Sequence, residues 1–257
     1  MERYRRTSSG LYVAEHKLAR VEHALGKDGP GAVRLPDVLD TDFLNDLVAE
    51  LHDDSCVKWR DAGDTYVNGR GVQVVQNHDV FALKLSAGDQ SYTEQVPLMN
   101  QLMCETEDFV QSLSDRYPSL DGWEADEMSY HRYYDPEVGL SFHRDNKRFH
   151  GVIVVITIHG ASDFQVIDRT PVAWEYDEAS GRDMVSEWHW GSTYTIPTQP
   201  GDMVLTRATG LMPWMTVANN PEHAVMNVHD LPRISFMVRA NSRASDTAYG
   251  FEYTNWP

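Results

Sequence analysis

His143 and Asp145, two residues of types that bind metal ions, are separated by a single residue shortly before an apolar segment that begins at Gly151. On an extended strand, residues i and i+2 point to the same side, so one imidazole nitrogen and one carboxylate oxygen can reach the same divalent cation. A third ligand must come from elsewhere in the chain, and His223 lies eighty residues after His143. The spacing therefore predicts a cation site formed by His143, Asp145 and His223.

Two histidines and one carboxylate would occupy one face of an octahedron. Three positions would stay open for a chelating co-substrate and dioxygen, the arrangement associated with non-heme Fe(II) oxygenases. A second His-x-Asp pattern, His52-Asp53-Asp54, falls at the polar end of a predicted helix, where positions i and i+2 diverge. His229 competes with His223 as the distal ligand, but its place beside Asp230 predicts a loop.

A strand predicted around residues 233–239 would place Arg233 and Ser235 side by side on one face. A guanidinium fork with a neighbouring hydroxyl suits a buried carboxylate, because an unpaired arginine in an otherwise apolar strand would be costly. The pair therefore predicts a dicarboxylate ligand. Arg239 lies six residues after Arg233, so the period of two places both on the same face of the strand. Arg239 could face the co-substrate, the substrate or solvent.

The elements that must position these residues change in character along the chain. Residues 1–31 are polar and end in a glycine- and proline-rich cluster, which predicts an N-terminal arm. A short strand over 32–35 and two amphipathic helices follow, one beginning at Asp40 or Thr41 and the other at Pro97. From Met128 onward, about eight short strands are predicted, near 128–134, 151–158, 163–167, 172–176, 187–190, 194–196, 203–206 and 234–238.

This pattern predicts a mainly β fold with flanking α-helices, a jelly-roll core over about 128–240 with a helical buttress over about 32–120. Residues 32–257 are expected to form a single domain.

Composition excludes several classes of function. The 257 residues include 22 Lys and Arg against 39 Asp and Glu, a net charge of −17, which makes nucleic acid an unlikely partner. Cys56 and Cys104 have no C-x-x-C spacing, so neither a disulfide framework nor a thiolate zinc site is expected, and reduced thiols fit the cytoplasm. No apolar run approaches the roughly 20 residues of a membrane helix, so no membrane association is expected. The oligomeric state is left open.

The order of these motifs resembles the Fe(II)/2-oxoglutarate-dependent dioxygenase superfamily. His-x-Asp is followed by a distal histidine about eighty residues later, and Arg-x-Ser begins ten residues after that. Further landmarks are Tyr134, nine residues before His143, and the turn Pro200-Gly201-Asp202 before the distal histidine. The resemblance covers roughly residues 128–240 and implies a double-stranded β-helix.

The resemblance also implies roles for individual residues. His143, Asp145 and His223 would bind Fe(II), and the residues Arg233, Ser235 and Tyr134 would hold the distal carboxylate of 2-oxoglutarate. Dioxygen would be the second co-substrate, and the products would be succinate, CO2 and a hydroxylated substrate.

The substrate is expected to be a small molecule, such as an amino acid or a natural-product intermediate. Alternatives are an alkylated nucleobase or a protein side chain as the target, or a jelly-roll binding module without enzymatic activity. Arg132 stands where demethylases of alkylated nucleobases within this superfamily usually have Asn, although Arg233 and Arg239 repeat their arginine spacing.

Overall fold

Among the described residues of the first half of the chain, three helices flank the β core. The computed structural model describes residues 11–53, 56–63, 65–68, 71–84, 95–146, 148–178, 181–213 and 220–241. Helix α1 spans Glu15–Leu25, α2 spans Thr41–Leu51 and α3 spans Pro97–Gln111, and a 3-10 turn covers Pro118–Leu120. Asp40 caps α2, its side chain accepting a hydrogen bond from the Asp42 N–H at 2.8 Å. The predicted starts of α2 and α3 are confirmed.

Residues 11–31, which the sequence analysis assigns to an arm, instead contribute α1 and pack against the core. Val21 and Leu25 of α1 are fully buried, and the Tyr117 hydroxyl donates to the Val21 carbonyl at 3.4 Å. The helix was missed because only Val21, Ala24 and Leu25 are buried in an otherwise polar segment. Residues 1–10 of the predicted arm lie outside the described residues, as do residues 242–257 of the predicted domain.

The strands account for more of the described backbone than the helices do, and several are longer than expected. They are β1 Ala32–Leu35, β2 Arg60–Asp61, β3 Thr65–Val67, β4 Gln73–Val75, β5 His78–Lys84, β6 Glu127–Tyr133, β7 Val138–His143, β8 Phe149–Asp177, β9 Arg182–Thr198, β10 Met203–Arg207 and β11 Glu222–Asn241. Three predicted strands merge into β8, and two merge into β9, because pairing continues through Gly160 and Pro171.

One antiparallel sheet runs in the order β1-β10-β8-β11-β6-β5-β2, with β7 added to β11 and β9 added to β8. Strands β8 and β11 turn a corner together. The segment 153–159 of β8 pairs with 234–239 of β11, whereas 161–167 pairs with 222–229. The two halves form the two layers of a jelly roll, which confirms the predicted fold class.

Gly160 makes the corner possible. Its φ of +69° is in the left-handed region, and a Cβ there would lie 2.7 Å from the Asp230 carbonyl oxygen and 2.9 Å from the Arg233 Cα. Only glycine fits such a close approach of two strands without strain.

Alternation along β11 separates the core from the interior of the barrel. Ile234, Phe236 and Val238 are buried in the same apolar cluster as residues of the three helices. The intervening Arg233 and Ser235 point to the opposite face, as the period of two requires. In the described part of the chain, no helix is long and apolar enough to cross a membrane.

Candidate metal centre

His143 and His223 are direct cross-strand neighbours on β7 and β11. Their ring centroids are 4.5 Å apart, and Asp145 follows two residues after β7 ends. The His223 Nε2 lies 3.2 Å from the Asp145 Oδ2, and one ligand atom from each of the three residues lies within 4.8 Å of the others. The structure therefore brings the three predicted residues together at a separation that one cation can bridge.

Backbone carbonyls orient both imidazoles. The His143 Nδ1 lies 2.9 Å from the Ser141 carbonyl oxygen, and the His223 Nδ1 lies 3.3 Å from that of Pro221. A neutral imidazole that donates Nδ1–H to a carbonyl has its Nε2 lone pair free for a metal. Phe164 stacks on the His223 ring at a centroid distance of 5.1 Å and fixes its plane.

The protonation states suit a divalent cation. Burial, followed by the neighbouring His223, lowers the pKa of His143 to about 4, so this imidazole is neutral at pH 7. Burial alone would raise the pKa of Asp145, but His223, His143 and Arg239 together lower it, so the carboxylate is ionised. The neutral imidazole of His143, the imidazole of His223 and the carboxylate of Asp145 form a donor set that fits Fe(II), with three sites left open.

Arg233 is the largest fully buried side chain described. Its Nη2 donates to the Thr157 Oγ1 at 3.3 Å, whereas its Nε and Nη1 are buried without a hydrogen-bond partner. No carboxylate among the described residues pairs with this guanidinium. Since an unpaired buried charge is unfavourable, the pocket of Arg233 and Ser235 fits an anionic ligand with a carboxylate group.

Tyr134 does not lie at this pocket. Its side chain is 48% exposed, and its hydroxyl donates to the Asp79 Oδ2 at 2.9 Å. The preceding residue, Tyr133, is buried and pairs with Arg233 across β6 and β11. Tyr134 lies one residue beyond the end of β6. A displacement of one residue along a strand turns the side chain to the opposite face of the sheet.

Sequence reasoning also missed two buried histidines beside this pocket. His131 lies opposite Ser235 on β11, and His78 lies opposite Tyr133. Burial lowers the pKa of His78 to about 4 and that of His131 well below its usual value, so both are neutral. The Nδ1 atoms of both rings are buried without a partner. Alternation of Ser129, His131 and Tyr133 on β6 was the one available signal.

Arg239 links the three clustered residues to a second charged group. It forms an ion pair with Glu127 Oε1, and its Nη1 lies 3.9 Å from the Asp145 Oδ1. Glu127 also accepts a hydrogen bond from the Arg148 Nη2 at 3.0 Å. Arg239 therefore lies in the interior rather than in solvent.

The two competing histidines lie apart from this cluster. His52 is exposed at the end of α2, with its Nδ1 2.8 Å from the Val48 carbonyl oxygen. His229 is exposed in the corner of β11, with its Nδ1 2.7 Å from the Asn227 carbonyl oxygen. Within the described ranges, His143, Asp145 and His223 form the one group of three potential ligands.

Comparison of the sequence with protein-family models and with curated proteins finds no match. Solved structures do match. A prolyl-4-hydroxylase from Pseudomonas putida has a TM-score of 0.51 at 13% identity, covering 87% of this chain and 98% of its own. The non-heme alpha ketoglutarate dependent epimerase SnoN from nogalamycin biosynthesis has a TM-score of 0.53 at 13% identity, covering 88% of this chain and 83% of its own.

A prolyl hydroxylase from Trichoplax adhaerens, in complex with a peptide fragment of the hypoxia inducible factor, has a TM-score of 0.50 at 10% identity. It covers 89% of this chain and 92% of its own. The likeness is one of fold and extends over most of the described chain. This chain therefore has the double-stranded β-helix fold of the Fe(II)/2-oxoglutarate oxygenases, with a buried His-Asp-His group in its interior.

Proposed function

We propose that this protein is an Fe(II)- and 2-oxoglutarate-dependent dioxygenase that hydroxylates a small molecule. The observation that carries the proposal is the juxtaposition of His143, Asp145 and His223, with ligand atoms within 4.8 Å, and Arg233, a buried guanidinium with two unpartnered nitrogens. A metal ligand set and a buried carboxylate receptor on one barrel interior are what a chelating keto acid with a second carboxylate requires.

In this proposal, His143, Asp145 and His223 hold Fe(II) through two Nε2 atoms and one carboxylate oxygen. With Fe(II) and 2-oxoglutarate bound, the centre would supply oxidative decarboxylation, with one oxygen atom of O2 entering succinate and the other entering a substrate C–H bond. The chain itself orients the imidazoles through the carbonyls of Ser141 and Pro221, and burial keeps the His143 imidazole neutral.

Arg233 and Ser235 would bind the distal carboxylate of 2-oxoglutarate, with Tyr133 replacing Tyr134 as the neighbouring phenol. The Tyr133 ring lies 5.1 Å from the centre of the Arg233 guanidinium and closes one side of the pocket. Neutral His78 and His131 add polar groups without adding charge. Each of these side chains is buried, so they would shield a bound co-substrate from bulk water.

A polar small molecule, such as an amino acid, is the substrate that the site supports best. Arg239, Arg148 and Glu127 place charged groups beside Asp145, where a charged substrate would be recognised. Arg239 is therefore also proposed to contact the substrate. The net charge of −17 disfavours nucleic acid. Cys56 and Cys104 form no disulfide, in keeping with a reducing compartment such as the cytoplasm.

The test is anaerobic addition of Fe(II) and 2-oxoglutarate to the full-length protein, followed by air and a small-molecule library. Wild type is expected to develop a weak visible charge-transfer absorption, and to release succinate faster with a true substrate. His223→Ala should lose the absorption and weaken Fe(II) binding at least tenfold, whereas His229→Ala, the matched exposed histidine, should retain both. A wild-type protein that shows neither absorption nor succinate release would overturn the proposal.

A further inference from the structure

A buried ion pair lies behind the proposed metal centre, between Arg169 on β8 and Glu222 at the start of β11. Their side chains are 8% and 6% exposed. The Arg169 Nε donates to the Glu222 Oε1 at 2.8 Å, and its Nη2 donates to the same oxygen. Neither residue belongs to the sequence motifs or to the proposed ligand sets.

The pair involves the residues that immediately precede the two histidines of the centre. Glu222 immediately precedes His223, and the Arg169 Nη2 also donates to the carbonyl oxygen of Phe142 at 3.4 Å, which immediately precedes His143. Successive residues of a strand point to opposite faces. The imidazoles therefore lie on the interior face, while Arg169 joins the two ligand-bearing strands from the exterior face.

Aromatic rings hold the guanidinium in place. Its centre lies 3.8 Å from the Trp188 ring, and it lies 5.3 Å from the rings of both Phe142 and Trp190. Trp190 pairs directly with Arg169 across β8 and β9. Stacking of this kind suits the planar guanidinium of arginine and not the ammonium of lysine.

Net stabilisation does not explain the pair well. A buried ion pair can often be replaced by apolar residues of similar volume without loss of stability, because desolvation offsets the Coulomb attraction. Apolar residues cannot reproduce the directional hydrogen bonds by which the Arg169 guanidinium joins Glu222 to the carbonyl of Phe142. These two residues precede the two histidines of the centre. Groups that orient metal ligands from behind typically change metal affinity by about 10- to 100-fold when they are removed.

We propose that Arg169 is a positioning residue that, through Glu222 and the carbonyl of Phe142, holds His143 and His223 at the separation required for one metal ion. The inference rests on the metal site of the proposed function and adds to it two residues outside the ligand set. Loss of the fork lets β7 and β11 shift relative to each other, so that the two Nε2 atoms no longer converge.

The test is an anaerobic titration of the full-length apo-protein with Co(II), which reports affinity and ligand geometry through its visible d–d absorption. Arg169→Lys and Glu222→Gln should each weaken Co(II) binding at least tenfold and alter the absorption. Arg132→Lys is the matched control. Arg132 pairs with Asp79 at 2.8 Å and stacks on Trp59 at 4.1 Å, and neither contact involves His143, His223 or a residue next to them. It should change Co(II) affinity less than twofold.

A double variant, Arg169→Met with Glu222→Met, separates positioning from folding. We expect it to unfold at nearly the wild-type temperature and still to bind Co(II) at least tenfold more weakly. Wild-type affinity and an unchanged spectrum in this variant and in Arg169→Lys would overturn the positioning role while leaving the proposed function intact. A wild-type protein that does not bind Co(II) would overturn both.

Discussion

Tyr133 and Arg233 face each other directly across β6 and β11, with the guanidinium centre 5.1 Å from the phenol ring. Burial raises the pKa of Tyr133, and the nearby Arg233 and Ser235 oppose that rise. The phenol is therefore neutral and can donate a hydrogen bond to an anion that binds at Arg233.

This relationship distinguishes two adjacent tyrosines. Tyr133→Phe should raise the KM for 2-oxoglutarate about tenfold, because a hydrogen bond to a charged group contributes about 1.5 kcal/mol or more. Tyr134→Phe should leave the KM within about twofold, since its hydroxyl bonds to Asp79 at the surface. Initial rates of succinate formation at varied 2-oxoglutarate provide the measurement, and a larger effect of Tyr134→Phe would contradict the assignment.

Replacement of Arg233 should have opposite effects on stability and on binding. Arg233→Met removes a buried charge that has no counter-ion among the described residues, so the free energy of unfolding of the apo-protein should rise by about 2 kcal/mol. Binding of 2-oxoglutarate should be lost. Urea denaturation and calorimetric titration would measure the two effects.

Arg132→Met is the control for Arg233→Met, because it removes an ion pair with Asp79 and stacking on the Trp59 ring. It should lower the free energy of unfolding by about 1 kcal/mol. If Arg233→Met also destabilised the apo-protein, the guanidinium would have an unrecognised stabilising role.

The stability of the apo-protein should depend on pH through His78. Burial, with help from His143, lowers the pKa of His78 to about 4, whereas a histidine in an unfolded chain titrates near 6.5. Between about pH 4 and pH 6.5, His78 is protonated in the unfolded chain but neutral in the folded protein. The contribution of His78 is therefore fully present above pH 6.5 and is lost as the pH falls toward 4, by about 1.4 kcal/mol per pH unit.

His78→Gln should remove this dependence. Urea denaturation in the presence of a chelator should show that the loss of stability from pH 7 to pH 5 is about 2 kcal/mol smaller in His78→Gln than in wild type. His52→Gln, at an exposed histidine, should follow the wild-type curve. Parallel curves for wild type and His78→Gln would contradict the prediction, because they would show that His78 has the same pKa in the folded and unfolded states.

The sequence predicts those features that depend on local spacing. The alternation of strands brings His143 and Asp145 to one side, and it separates Arg233 and Ser235 from the helix-facing Ile234 and Phe236. Capping by Asp40 and the start at Pro97 are likewise local, so the starts of α2 and α3 could be predicted from the sequence.

Features that depend on distant pairing could not be predicted. His131 lies beside Ser235 because β6 pairs with β11, and His78 lies beside Tyr133 because β5 pairs with β6; no spacing in the chain states either register. Arg169 and Glu222 are 53 residues apart and meet only because β8 and β11 are neighbours. Tyr133, and not Tyr134, lies opposite Arg233 because of where β6 ends, which is set by tertiary contacts and not by a sequence signal.

The shared corner of β8 and β11 has a consequence for ligand selection. His223 and Arg233 both belong to β11 and stand on either side of the bend packed against Gly160. The distance between the two anchoring points is thus set by ten residues of one backbone and braced by a second strand. Under the proposed function, this fixed distance would select the length of the keto acid, and a diacid one methylene shorter or longer would reach only one of the two residues.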